Sequence, residues 1–365
     1  MPPTVRLPSS WLGVVVAICV GLLVSCSADA RPTVVRPGVT PVATSPAAAT
    51  APSSPTTPSQ SPTTTADRPT TSATGTPGTA PAGPGSTVAA STTTTTEALS
   101  ATALTAPLGR SPAALGAQLA TAWPTALDAR IPADDRAAAG RLVQLVYRRL
   151  AARPEWVPMV LDALEPRVRA IADNDLTAAL APSRSPSPAG PPQTTLPAWT
   201  IRDPKPATEL VAYYHEAEAQ TGVPWTVLAA INLVETRMGR IVGVSSAGAV
   251  GPMQFLPSTW AACCAGEPTD DHDAIIGAAT YLVRRGALTD IRQAIHGYNP
   301  NDAYVEMVMR YSANLAAEPE TYAAYHAWQV FVRTTAGSIR LPVGYAASDP
   351  VDAATYLASH PQDAA

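Results

Sequence analysis

The sequence predicts a mainly α chain whose folded part is C-terminal, preceded by a small helical module and a disordered tether. Three observations carry this. From Ser27 to Thr105, Thr, Ala, Pro and Ser supply 60 of 79 residues with no aromatic side chain, whereas 15 of the 20 aromatics lie from Ile201 onward. Beyond Ala106, apolar residues recur at helical spacing. No strand-like runs alternate with these helices, which argues against a parallel sheet.

The N-terminus sets the compartment. Arg6 precedes an apolar run from Trp11 to Val24, the length of a signal-peptide core and short for a spanning helix. The run ends Leu23-Val24-Ser25-Cys26, which resembles the bacterial lipobox. That resemblance implies that residues 1–26 are a lipoprotein signal and that Cys26 is acylated. Each buried CH2 of an acyl chain adds roughly 0.8 kcal/mol, so two or more chains hold a protein stably on a membrane. The expected location is the outer face of the cell membrane, reaching into the cell wall.

Residues 27–105 lack the apolar content to offset ordering entropy and read as a disordered tether, whose Ser, Thr and Pro permit O-glycosylation. Residues 106–180 regain periodicity. Leu142, Val143, Val146, Tyr147 and Leu150 form a stripe, with Arg141, Gln144 and Arg148 expected to face outward. Pro154, Pro158 and Pro166 fall where short helices begin. Three or four small helices with no chemical constellation suggest an accessory bundle, with a surface for a cell-wall protein partner as the second reading. Residues 181–200 form a Pro- and Ser-rich linker.

Residues 201–346 read as the main helical domain and 347–365 as a tail. Helices are expected over Ala207–Gln220, Pro224–Arg237, Pro257–Cys264, Asp271–Arg285, Thr289–His296 and Ala303–Ala316, with Ser338–Tyr345 extended. Pro224 suits a helix N1 position, Gly286 a C-terminal stop, and Asn301 or Asp302 an N-cap. From Ile201 onward, 17 Asp and Glu face 10 Lys and Arg, which argues against nucleic acid as a partner. A single apolar stretch near the start argues against a multispan membrane protein.

Glu235 is the candidate for chemistry. It follows Val227, Leu228, Ile231 and Val234, four residues beyond Ile231, so it lies near the buried face of its helix. Burial and the negative helix end both favour the protonated form. A carboxylic acid kept protonated near neutral pH is what a glycosidase uses to donate a proton to a leaving oxygen. An interface glutamate paired with Arg237 or Arg240 is the alternative.

Further along stand Gly248-Ala-Val-Gly251-Pro-Met-Gln254-Phe-Leu-Pro-Ser-Thr-Trp260 and Gly297-Tyr298-Asn299. Glu followed by a hydroxyl residue, then Gly-x-Met-Gln, then small-Tyr-Asn, in that order, resembles the signature of lytic transglycosylases with a lysozyme-like domain. The form of the second motif, followed by Asp271-His272-Asp273-Ala274-Ile275, is closest to actinobacterial lipoproteins related to the membrane-bound lytic murein transglycosylase B group. The similarity covers roughly Val211–Leu315.

The resemblance implies a lysozyme-like fold and cleavage of the β-1,4 bond between N-acetylmuramic acid and N-acetylglucosamine in peptidoglycan strands. Glu235 is then the sole acid and base, and the product ends in a 1,6-anhydromuramyl residue. Thr236, Met253, Gln254, Tyr298 and Asn299 become the substrate-binding set, with no metal and no cofactor. Met253 and Tyr298 also read as core residues. Thr236 stands where Ser is commoner in the wider family, Pro252 where Leu is, and Gly297 where Ala is.

Other readings stay open. Paired carboxylates at about 5–9.5 Å would favour hydrolysis by a muramidase. The candidates Glu267, Asp270, Asp271 and Asp273 sit in one loop and read better as helix-capping or solvated groups. They lack EF-hand spacing. A non-catalytic peptidoglycan-binding lipoprotein scaffold is the alternative from another class. Cys19 lies inside the signal, which leaves Cys263 and Cys264 adjacent to each other. Exported proteins usually pair their thiols, but neighbours close only a small ring, so ring and free thiols stand equal.

Overall fold

The computed structural model describes residues 106–184 and 191–365. The expected signal, Cys26 and tether, and part of the 181–200 linker, lie outside the described residues. Among those described the chain is mainly helical, with twelve α-helices and only short strands. None of these helices is long and apolar enough to cross a membrane.

The first four helices are α1 (Pro112–Leu127), α2 (Ala133–Ala151), α3 (Val157–Asp162) and α4 (Pro166–Arg184). Ser111 caps α1 by accepting from Ala114 N, and Pro112 occupies the first turn, where its missing N–H costs nothing. The stripe expected on α2 is buried throughout. Gln144 and Arg148, expected to face outward, do not. Gln144 exchanges two 2.8 Å hydrogen bonds with the Gln329 backbone. Arg148 lies over the Phe331 ring, 4.0 Å from its centroid, and bonds to Ser338. Helix α2 is covered on both sides, a property of its neighbours that its own periodicity does not contain.

The later helices are α5 (Ala207–Thr221), α6 (Trp225–Thr236), α7 (Pro257–Cys263), α8 (Asp271–Arg284), α9 (Ile291–Tyr298), α10 (Asp302–Ala317) and α11 (Thr321–His326). Pro224 is the N-cap of α6 rather than its first helical residue. Helix α9 starts and ends two residues beyond the expected span, because Asp290 caps it through Gln293 N. Asn301 is the N-cap of α10, with its Oδ1 accepting from Ala303 N and Tyr304 N. Gly286, with φ of 90°, ends α8's chain direction as expected.

Helices α1–α4 and α5–α11 share one apolar core. Helix α4 packs along α10, and α2 packs on α11. At Gly140 a Cβ would lie 2.7 Å from the Ala324 Cα, so only glycine permits this approach of α2 to α11. A buried polar cluster crosses the same boundary: Asp175 Oδ1 accepts from Tyr325 Oη at 2.6 Å and Asn314 Nδ2 at 2.9 Å.

A second, smaller core lies under three two-stranded antiparallel pairs. Strands β1 (Thr195–Leu196) and β2 (Thr200–Ile201) occupy the end of the expected linker. Strand β3 (Ile241–Val242) pairs with β2, β4 (Val330–Thr334) with β5 (Gly337–Leu341), and β6 (Val351–Asp352) with β1. Strand β5 covers the first part of the stretch expected to be extended. The expected tail carries β6 and α12 (Ala353–Ser359), then Asp363, which is buried and paired with Arg340 at 2.8 Å.

Candidate active site

Glu235 sits in the last turn of α6, a helix buried at every position from Thr226 to Thr236. Only 2% of Glu235 is exposed. Burial pushes its carboxyl up to about 8, and a hydrogen bond from the Tyr304 side chain offsets part of that rise. Glu235 Oε2 is buried with no hydrogen-bond partner among the described residues. A carboxyl so placed is neutral at pH 7 and holds a transferable proton. Arg237 Nη1 bonds the Leu233 carbonyl at 2.6 Å, and Arg240 turns to Asp203 and the His326 carbonyl.

The helix stops sharply beyond the acid. Arg237, Met238 and Gly239 have φ of 55°, 62° and 79°, and Met238 N reaches back to the Asn232 carbonyl. Two consecutive non-glycine residues in this region persist only where surroundings over-determine them. Thr236 supplies much of that constraint. Its hydroxyl donates to the Pro252 carbonyl at 2.6 Å and accepts from Gly239 N at 3.1 Å, and Asn232 Nδ2 donates to the same carbonyl at 2.9 Å. Tyr214 in turn donates to Asn232 Oδ1. Thr236 is therefore a buried tie between the acid's helix and the Gly-x-Met-Gln segment. Its side chain is fully buried.

The second motif folds as a tight turn on a close seat. Val250 and Phe255 bridge, Gln254 N donates to the Gly251 carbonyl, and Gln254 itself has φ of 51°. Gly251, at φ 78°, lies so near the Pro268 carbonyl that a Cβ would sit 1.7 Å from its oxygen. Met253 is fully buried in the main core. Gln254 is 9% exposed, with Nε2 bonded to the Gly251 carbonyl, which leaves its amide oxygen as the free acceptor of the motif.

Tyr298, 7% exposed, donates to the Met253 carbonyl at 2.6 Å. Its ring meets Phe255 at 5.7 Å and Tyr281 at 5.6 Å. The Glu235 carboxyl is near enough to raise the Tyr298 hydroxyl further above its ordinary range, after burial has done most of it. Asn299 is buried as the C-cap of α9. The three motifs thus converge around Glu235, through Tyr298 and through the Thr236–Pro252 bond. Tyr304, a partner of the acid, was not foreseen from sequence. It lies six residues after Tyr298 in α10, and nothing in its spacing separates it from an ordinary core tyrosine.

Three of the four carboxylates of the 267–273 loop are committed elsewhere. Asp270 Oδ1 caps α8 through His272 N and Asp273 N, Asp273 Oδ2 accepts from Glu267 N, and Asp271 pairs with Arg202 at 2.8 Å. Asp270, His272 and Asp273 hold ligand-type atoms within 4.8 Å of one another, but His272 also turns to Glu216 at 3.1 Å. Cys263 and Cys264 form a disulfide. An open cavity of about 600 Å³ lies beside this ring, and Glu235 is not among its lining residues. Compared with known proteins, the chain matches no family model, no curated protein and no solved structure.

Proposed function

We propose that this chain is a peptidoglycan lytic transglycosylase with Glu235 as its single acid and base, on a lysozyme-like framework. The observation that carries the reading is a neutral, buried carboxyl at the meeting point of the three motifs, with no second carboxylate bonded to it among the described residues. Glu235 gives its proton to the oxygen bridging N-acetylmuramic acid and N-acetylglucosamine as that bond breaks. As carboxylate it then takes the proton of the muramyl C6 hydroxyl, whose oxygen bonds to C1. The leaving sugar gains a hydroxyl, the muramyl end becomes 1,6-anhydro, and no water is consumed. One residue acting in both directions follows ordinary proton-transfer logic. A nucleophile tethered within the substrate draws rate from proximity.

Proton donation needs the glycosidic oxygen within about 3 Å of the carboxyl, so substrate binding must part the side chains that bury it. On this reading Gln254 and Asn299 are the amides that hold N-acetyl or hydroxyl groups as this happens. On the same reading Cys26 carries the lipid anchor, the tether reaches into the wall, and the partner is the glycan strand. Digestion of purified sacculi followed by product mass tests this. Anhydromuropeptides are expected. Reducing muramyl ends would make the enzyme a muramidase, and binding without any product would make it a scaffold.

A further inference from the structure

We propose that the Cys263–Cys264 disulfide is a thiol-exchange site whose opening loosens the Gly251–Trp260 segment, and so tunes the candidate site from outside it. The ring forms one wall of the 600 Å³ open cavity, which Gln220, Gly277 and Arg284 also line. Cys263 is buried against the main core and Cys264 is half-buried, so a small thiol in the cavity approaches the ring from the Cys264 side. A disulfide open to solvent on one side exchanges more readily than one sealed on every side.

The ring also sits where a local change travels. It ends α7, with Cys264 N donating to the Trp260 carbonyl at 2.9 Å. Trp260 Nε1 donates to the Gly266 carbonyl at 3.1 Å, just past the ring, and the Trp260 ring meets Phe255 at 5.0 Å. Phe255 meets Tyr298, whose hydroxyl holds the Met253 carbonyl. On the other side, the loop from Cys264 to Asp270 presses the Pro268 carbonyl onto Gly251. Two routes thus run from the ring to the Gly-x-Met-Gln turn, one aromatic and one through the backbone.

The reduced state has its own partner. Cys264 Sγ lies 3.5 Å from the Gly277 carbonyl. A disulfide sulfur has no proton to give, but a thiol there donates to that oxygen. The exchange balances with a low-molecular-weight monothiol as reductant. Its thiolate attacks one sulfur and the Cys263–Cys264 bond breaks, giving a mixed disulfide. A second thiolate then displaces the protein sulfur. Two reductant molecules leave as one disulfide, and both cysteines end as thiols.

The exchange itself stands on the structure, whereas its effect on catalysis rests on the transglycosylase reading. In the test, full-length protein is incubated with reduced glutathione, alkylated with iodoacetamide, and followed by peptide mass and by amide hydrogen exchange. We expect both sulfurs of the Cys263–Cys264 peptide to be alkylated only after glutathione. Amide exchange over Gly251–Trp260 should rise about tenfold or more, the signature of local opening. Oxidised glutathione added before the alkylation step should reverse both changes. The Cys263→Ser/Cys264→Ser double variant should exchange like the reduced protein and ignore glutathione. Absence of alkylation, or alkylation with unchanged exchange over that segment, overturns the proposal. An exchange response with no sugar product in either state upholds the redox site and removes the transglycosylase reading instead.

Discussion

Glu235 shows how one side chain acquires a function from its surroundings. An exposed glutamate is ionised at pH 7; this one is held protonated up to about 8 by burial alone. Glu235→Gln keeps the size and the neutral character of the acid but has no proton to transfer. Release of anhydromuropeptides from sacculi should fall by about 10²–10⁴-fold, with the far-ultraviolet circular dichroism unchanged. Wild-type kcat should decline on the alkaline side, around the value of about 8. Tyr304 lowers the Glu235 value, so Tyr304→Phe should move that alkaline limb upward while retaining measurable activity. A limb that stays in place would show that Tyr304 only fills space. Tyr304 was illegible in the sequence because its role depends on α10 crossing the end of α6, a relation that spacing along α10 does not encode.

At the scale of elements, the junction between α6 and the Gly-x-Met-Gln turn is the critical joint. Thr236, Asn232 and the Pro252 carbonyl tie it, across two consecutive positive-φ residues. Thr236→Val is nearly isosteric but strands the Gly239 N–H and removes a donor to Pro252. Removing one partner from a buried pair costs about 1–3 kcal/mol, so the chemical denaturation midpoint should drop accordingly, and Thr236→Ser should restore most of it. The helices α5–α10 were legible to within a residue or two from apolar spacing and capping residues such as Asp290 and Asn301, whereas the six-residue α11 was not expected. The short strands were not legible. Pairs of two residues such as β1 and β6 have no period to read, and their existence depends on partners more than a hundred residues away.

Across the whole molecule, Asp175 joins Glu235 as a carboxyl that burial keeps protonated, pushed up to about 7 despite bonds from Tyr325 and Asn314. Both groups hold protons in the folded chain that the unfolded chain releases near pH 4. Linkage then requires that their contribution to stability is fully present below that pH and is lost as pH rises through about 7 and 8. The unfolding temperature should therefore be higher at pH 5 than at pH 8. Asp175→Asn combined with Glu235→Gln should flatten this dependence; a slope unaltered in the double variant would place its origin in other groups. The sequence by itself determined the helical class, the order of the motifs and the identity of the candidate acid. These rest on local periodicity, capping chemistry and residue type, all of which are properties of short stretches. Only the tertiary structure decided that α1–α4 share a core with the helices after them, that Gln144 and Arg148 turn inward, that Thr236 is a buried tie and that Met253 lies in the core. It also decided that the adjacent cysteines close a ring. Each of these depends on which surfaces meet, and burial by a distant segment leaves no mark on the segment that is buried.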